Sequence, residues 1–127
     1  TTFNFISPEE LKMPEEFKLY LDNLGLKYYE HLDFTDIISR ADIIYMTRVQ
    51  RERFSDPIEY EKVKNVYVLK NAMLANTKPN MRILHPLPRV NEIHTDVDSN
   101  PKAYYFEQAL NGVFTRQAIL CSLLGIK

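Results

Sequence analysis

Short apolar runs alternate along this chain with segments whose apolar residues recur at helical spacing, and this alternation constrains the fold most strongly. The runs predict strands at residues 3–6, 26–30, 42–46 and 81–85. Strands that alternate with helices indicate a parallel sheet with right-handed crossover connections. We therefore expect an α/β fold in which helices flank a small parallel sheet, in a Rossmann-like three-layer arrangement.

Capping residues predict where the helices begin and end. Ser7 as N-cap, with Pro8 at the first helical position, indicates a helix start, and Gly25 is a natural stop. Residues 66–76 fit more than one structure, and we favour a helix from residue 70. Further helices are expected at residues 34–39, 57–64 and 108–125.

The last predicted helix is apolar around nearly its whole circumference. Such a helix needs burial on several sides, and a small sheet covers only one. We therefore divide the chain into an α/β domain, residues 1–107, and a helix, residues 108–127, that reaches toward a further domain. A plain interior helix is the simpler alternative. Cys121 lies among the apolar residues of this helix, and we expect it to be an inert core thiol.

Composition argues against several classes of function. The net charge is −1, from 16 basic and 17 acidic residues, and no basic stretch would attract nucleic acid. No apolar run reaches about 18 residues, so no membrane span is expected. A single cysteine and no secretory leader indicate a reducing compartment, the cytoplasm. No metal-ligand spacing and no glycine-rich phosphate loop is recognisable.

Parallel sheets bind ligands at the carboxyl ends of their strands, and this rule selects two loops. The first, here called the arginine loop, is residues 47–53. It contains Arg48, Gln50, Arg51, Glu52 and Arg53. Because the guanidinium fork binds carboxylate or phosphate at two points, the loop predicts an anion site. For any single arginine, a solvated loop with internal ion pairs is the alternative.

The second loop, residues 85–89, is here called the proline loop and reads His-Pro-Leu-Pro-Arg. Two prolines stiffen its backbone and remove two hydrogen-bond donors. The carbonyls of Pro86 and Leu87 are then available to accept from a ligand amine. A stiff turn that closes the sheet is the alternative.

Several titratable residues near this loop are weaker candidates. His85 is either a base or, more commonly at a strand end, a hydrogen-bonded structural residue. Arg89 either binds an anion or braces the loop against Glu92. Asp96 and Asp98 form with Glu92 a loose acidic patch without coordination spacing.

Five sequence motifs occur in one order along the chain. They are Tyr-Met-Thr-Arg-Val-Gln-Arg-Glu-Arg-Phe at residues 45–54, His-Pro-Leu-Pro-Arg-Val-Asn-Glu-Ile at 85–93, Asp-Val-Asp at 96–98, Tyr-Tyr-Phe-Glu-Gln-Ala at 104–109 and Asn-Gly-Val-Phe at 111–114. Together they resemble the second half of the aspartate carbamoyltransferases. Ornithine carbamoyltransferases usually carry a different signature, with a cysteine, at the proline loop, so the resemblance favours aspartate.

The resemblance implies transfer of a carbamoyl group from carbamoyl phosphate to the amine of L-aspartate, in pyrimidine biosynthesis, without metal or organic cofactor. It implies that Arg48 clamps an aspartate carboxylate, that Gln50 contacts the substrate, and that Glu52 orients Arg48. Pro86 and Leu87 would offer backbone carbonyls to the nitrogens of the reacting centre.

The resemblance also implies supporting roles for Arg53, His85, Pro88 and Arg89, with a cis bond between Leu87 and Pro88. The family's first half, which makes most of the contacts with carbamoyl phosphate, has no counterpart in this sequence. The N-terminal domain of the same enzyme and neighbouring subunits of a homotrimer are therefore expected partners. The alternative is an isolated, non-catalytic domain that binds a dicarboxylate or a partner subunit, or a scaffold domain of a multifunctional polypeptide.

Overall fold

The computed structural model describes residues 1–51 and 54–126. Its elements follow the order β1 (Thr2–Ile6), α1 (Glu15–Asn23), β2 (Lys27–His31), α2 (Thr35–Ile38), β3 (Ile43–Tyr45), α3 (Pro57–Val63), β4 (Arg82–Leu84) and α4 (Tyr105–Leu123). Short 3-10 helices lie at Glu9–Leu11, Asn71–Leu74 and Thr95–Val97. The predicted alternation of strands and helices, and with it the α/β class, is confirmed.

The chain divides into two compact units, Thr1–Arg40 and Ala41–Lys127, and each contains one two-stranded parallel sheet. In the first unit β1 pairs with β2, and in the second unit β3 pairs with β4. Parallel pairing of the strands was predicted. The described strands form two small sheets, which the alternation pattern alone does not reveal.

The first unit shows where the capping signals were right and where they were wrong. The start predicted at Ser7 gives only the 3-10 turn Glu9–Leu11, which has no side-chain cap. Helix α1 begins after Pro14 instead, because proline lacks the N–H that a continuous helix would need there. Gly25 ends α1 as predicted, with φ of 64°, in the left-handed region that glycine adopts without penalty.

The core of the second unit lies around β4. Its fully buried apolar side chains are Leu69, Met81, Ile83, Ile93, Val97 and Tyr105. Backbone hydrogen bonds from Ile83 to the Lys102 carbonyl (2.8 Å) and from Tyr104 to the Ile83 carbonyl (2.9 Å) join the start of α4 to this strand. Burial of each such side chain contributes about 1.5–3 kcal/mol to the stability of the fold. The proline loop therefore follows a strand that is firmly packed.

Helix α4 has 19 residues and begins at Tyr105, three residues before the predicted start. Beyond its first turn, nearly every side chain is exposed, including the apolar ones of Leu110, Phe114, Leu120 and Leu123, and Leu124 directly after the helix is exposed too. Cys121 is also exposed, so its prediction as a core thiol is wrong: the described residues leave this part of α4 uncovered. No helix in residues 1–51 and 54–126 is long and apolar enough to cross a membrane.

Candidate functional site

The proline loop follows β4, at the carboxyl end of that strand. The bond between Leu87 and Pro88 is cis, as the resemblance implied, and Leu87 has a φ of 47°, which is uncommon for a residue with a side chain. The Leu87 N–H donates to Nδ1 of His85 at 2.8 Å, and the His85 N–H donates to Oε1 of Gln108 at 2.9 Å. Every N–H of residues 85–88 is thus either absent, at proline, or already bonded within the protein.

His85 is 1% exposed, and its Nε2 lies 2.7 Å from Oε1 of Glu92. Because Nδ1 accepts from Leu87, the ring proton lies on Nε2 and is donated to the carboxylate. Burial alone would raise the pKa of Glu92, but backbone N–H donors of its own loop and the imidazole outweigh burial and hold that pKa below its usual range. This geometry favours the structural interpretation of His85 over a catalytic base.

Arg89 pairs with Asp98, and the expectation that it braces the loop against Glu92 is wrong. The guanidinium meets both carboxylate oxygens, with Nη2 at 2.5 Å from Oδ2, and Tyr105 donates its hydroxyl to the same carboxylate. The hydrogen bond from Arg89 lowers the pKa of Asp98, while burial and the contact with Asp98 raise the pKa of Tyr105 to about 12. Glu92 and Asp98 therefore have separate partners and do not form the acidic patch considered above.

An open cleft of about 230 Å³, here called the arginine cleft, lies in the second unit. It is lined by Arg48, Val49, Arg51, Tyr60, Lys64, Asn65, Val90, Asn91 and Glu92. Three cationic side chains and one carboxylate make its wall predominantly positive, which suits an anionic ligand. The wall that residues 90–92 form directly follows the proline loop in sequence.

The structure therefore brings together part of the predicted site. Arg48 and Arg51 line the arginine cleft, whereas the exposed Gln50 is not among its described lining residues. Glu52 and Arg53 lie outside the described residues. Within the part of the chain that the structure describes, no three His, Cys, Asp or Glu side chains are grouped to hold a metal ion.

Gln108, in the first turn of α4, was not singled out from the sequence as a site residue. Its Oε1 accepts from the His85 N–H, and its Nε2 donates to the Tyr45 hydroxyl at 3.4 Å, so one amide joins the ends of β3 and β4. Lys64, which lines the cleft and pairs with Glu61 at 2.5 Å, was not singled out either. Both residues reach the site only through tertiary packing, which no local pattern records.

Comparison with known proteins gives a consistent result. Residues 1–123 match the family model described as aspartate/ornithine carbamoyltransferase, Asp/Orn binding domain. The chain is 69% identical over 126 residues to the aspartate carbamoyltransferase catalytic subunit of Bacteroides thetaiotaomicron, and 51% identical over 123 residues to that of Vibrio campbellii. These alignments cover 98% and 97% of this chain, and 40% of each relative.

Solved structures agree with these sequence matches. The catalytic subunit of M. jannaschii aspartate transcarbamoylase superposes with a TM-score of 0.86 at 42% identity, over 98% of this chain and 41% of that one. The Trypanosoma cruzi aspartate transcarbamoylase in complex with carbamoyl aspartate and phosphate gives a TM-score of 0.78 at 30% identity, over 94% and 37%. The chain thus spans about two fifths of the length of the proteins that it matches.

Proposed function

Because this chain belongs to the aspartate/ornithine carbamoyltransferase family, we propose that it is the aspartate-binding half of an aspartate carbamoyltransferase. The complete enzyme would transfer a carbamoyl group from carbamoyl phosphate to the amine of L-aspartate, in pyrimidine biosynthesis. In this proposal residues 1–107 bind aspartate, and residues 108–127 pack on the domain that binds carbamoyl phosphate.

One observation carries the proposal: a cleft lined by cationic side chains adjoins the proline loop, in which the backbone of residues 85–88 offers a ligand only hydrogen-bond acceptors. The cations of the arginine cleft suit the two carboxylates of aspartate. The prolines have no N–H, and the N–H groups of His85 and Leu87 donate to acceptors within the protein. The backbone carbonyls of the loop therefore remain for a ligand. An amine, which carries N–H donors, needs such acceptors.

These features support a reaction mechanism based on positioning. Arg48 would clamp a carboxylate, with Gln50 beside it, while the carbonyls of Pro86 and Leu87 would orient the attacking amine. The amine nitrogen forms the new bond to the carbonyl carbon, the bond from that carbon to the phosphate oxygen breaks, and the departing phosphate takes the proton that the nitrogen loses. Catalysis would come from orientation and from electrostatic stabilisation of the tetrahedral intermediate, without a cofactor.

The remaining residues would act in support. Glu52 would orient Arg48, Arg53 would support the arginine loop, and His85, Pro88 and Arg89 would hold the proline loop in shape. In the proposal the enzyme is a cytoplasmic homotrimer in which carbamoyl phosphate is held mainly by the N-terminal domain.

The test is product formation by the complete catalytic chain that contains this domain, with carbamoyl phosphate and either L-aspartate or L-ornithine. We expect carbamoyl aspartate with the first acceptor and no carbamoylated product with the second. Turnover of ornithine alone would contradict the assignment to aspartate. Absence of turnover with both would contradict the carbamoyltransferase itself.

A further inference from the structure

We propose that Glu92 is a positioning residue for this reaction: acting through the buried imidazole of His85, it fixes the backbone of Leu87 beside the substrate. The inference rests on the proposed function, because it is there that the Leu87 carbonyl acquires a role. In this proposal Glu92 does not touch the reacting atoms and acts through His85.

The first step is the burial of the Glu92 carboxylate, which is 7% exposed. A buried carboxylate is costly unless it is hydrogen-bonded, and here both oxygens have donors. Oε1 faces Nε2 of His85 at 2.7 Å, while Oε2 accepts from the backbone N–H groups of Val90 (3.1 Å) and Asn91 (3.0 Å). One carboxylate thereby connects the start of the proline loop with the residues that follow it.

The second step is the choice of histidine tautomer. A carboxylate is only an acceptor when ionised, so it holds the imidazole proton on Nε2 and leaves a lone pair on Nδ1. That lone pair accepts the Leu87 N–H at 2.8 Å. With the proton on Nδ1 instead, two donors would face each other and this contact would be lost.

The third step is the conformation that the contact supports. Leu87 has a φ of 47°, a backbone region that a residue with a side chain occupies only when its surroundings impose it. The hydrogen bond to His85 is one such constraint. Glu92 also lines the arginine cleft, so the same carboxylate borders the region proposed for the aspartate carboxylates and fixes the loop proposed for the amine.

The experiment uses the complete catalytic chain, and its first measurement is wild-type turnover, which tests the proposed function by itself. In an active enzyme, Glu92→Gln removes the charge that selects the tautomer and keeps the size of the side chain. We expect kcat to fall by at least about tenfold, the loss that a small misplacement of a reacting group causes, with KM for carbamoyl phosphate unchanged. The matched control is Glu16→Gln, at an exposed position on α1, which should retain wild-type kcat.

A second set of variants at His85 remains informative even if Glu92→Gln does not fold. An asparagine oxygen accepts the N–H two residues ahead, so His85→Asn replaces the Nδ1 acceptor, whereas His85→Ala removes it. We expect His85→Asn to retain more of kcat than His85→Ala. In the His85→Asn background, Glu92→Gln should cost no further kcat, because Glu92 acts through the ring that is gone.

Two results would overturn the inference while leaving the proposed function intact. One is a Glu92→Gln enzyme with the same kcat as the Glu16→Gln control. The other is equal activity of His85→Asn and His85→Ala, since the acceptor at Nδ1 would then be irrelevant. A merely structural role of Glu92 would lower the unfolding temperature of the Glu92 and His85 variants without this pattern in kcat.

Discussion

Around the proline loop, the polar side chains work in two separate sets. Glu92 and His85 hold the loop from within, and Arg89, Asp98 and Tyr105 hold its exit against the start of α4. In the described part of the chain, no buried side-chain nitrogen or oxygen lacks a hydrogen-bond partner. A substitution at one of these residues therefore leaves an identifiable donor or acceptor unsatisfied, and its cost depends on which set it breaks.

Arg48→Ala tests the anion site of the proposed enzyme. Loss of a charged, forked donor to a substrate carboxylate should raise KM for aspartate and lower kcat, with a combined loss of about 2–5 kcal/mol in transition-state stabilisation. Steady-state kinetics on the complete catalytic chain measure both parameters. Arg40→Ala, at an exposed arginine of the first unit, is the control. Normal affinity for aspartate in the Arg48 variant would remove this residue from the site.

Asp98 gives the second unit a dependence on acid pH whose sign follows from its lowered pKa. A carboxyl group with a depressed pKa stabilises the fold fully above its unfolded pKa, near 4, and loses that contribution as the pH falls through the folded value. Asp98→Asn should cost about 1–3 kcal/mol at neutral pH and flatten the acid side of the profile. Thermal unfolding from pH 7 to pH 2 checks this, and parallel wild-type and variant profiles would contradict it.

At the residue scale, the sequence predicted the members of the site better than their contacts. The arginines and the two prolines stand out in local motifs, and the resemblance implied the cis bond between Leu87 and Pro88. The prediction of Glu92 as the partner of Arg89 was wrong, because Glu92 and Asp98 are both near Arg89 in sequence. Only the folded chain decides which carboxylate receives the guanidinium and which receives the imidazole.

Elements in this molecule begin and end where single residues dictate, and this is the scale at which sequence patterns succeeded best. Asp56 caps α3, the helix expected at residues 57–64, by accepting the Ile58 N–H at 2.8 Å, and Pro57 begins the helix after it. The pattern failed at Ser7 because Pro14 interrupts the helix that Ser7 would have begun. The ambiguous stretch around residue 70 became a 3-10 helix, Asn71–Leu74, between tertiary contacts that local spacing does not encode.

Gly25→Ala tests the end of α1. A Cβ at this position would meet no atom within 4 Å, so the cost is that of the left-handed backbone alone. We expect a loss of about 1–2 kcal/mol, and a smaller loss for Gly25→Asn, since asparagine tolerates this conformation. Denaturant unfolding measures both variants. Equal stability of wild type and the alanine variant would show that α1 ends without this cap.

At the scale of the whole molecule, the long apolar surface of α4 favours association with other molecules, and the small net charge opposes it only weakly. Its exposed leucines include Leu123, 79% exposed, and Leu124, 70% exposed, while the chain carries a net charge of only −1. A surface of this kind marks an interaction site, and a small net charge offers little repulsion between copies. The apolar circumference of the helix predicted this surface, and the resemblance implied that the N-terminal domain covers it.

The 127-residue chain by itself should therefore associate as its concentration rises, which light scattering would detect. Leu123→Lys should move the onset to higher concentration, because burial of a leucine contributes about 1.5–3 kcal/mol. Gln117→Lys, which adds the same charge at an exposed polar position of α4, is the control. If both variants shift the onset equally, the added charge and not the lost apolar burial governs the association.

The side chain of Gln108 has a consequence for measurement as well as for structure. The amide proton of His85 is held by an acceptor that belongs to α4, so it is shielded from deuterated solvent only while the first turn of that helix stays against β4. The exchange rate of this one proton therefore reports the opening of α4 separately from the unfolding of the strands. Hydrogen exchange at His85, the first residue of the proline loop, thus measures how often the start of α4 separates from β4.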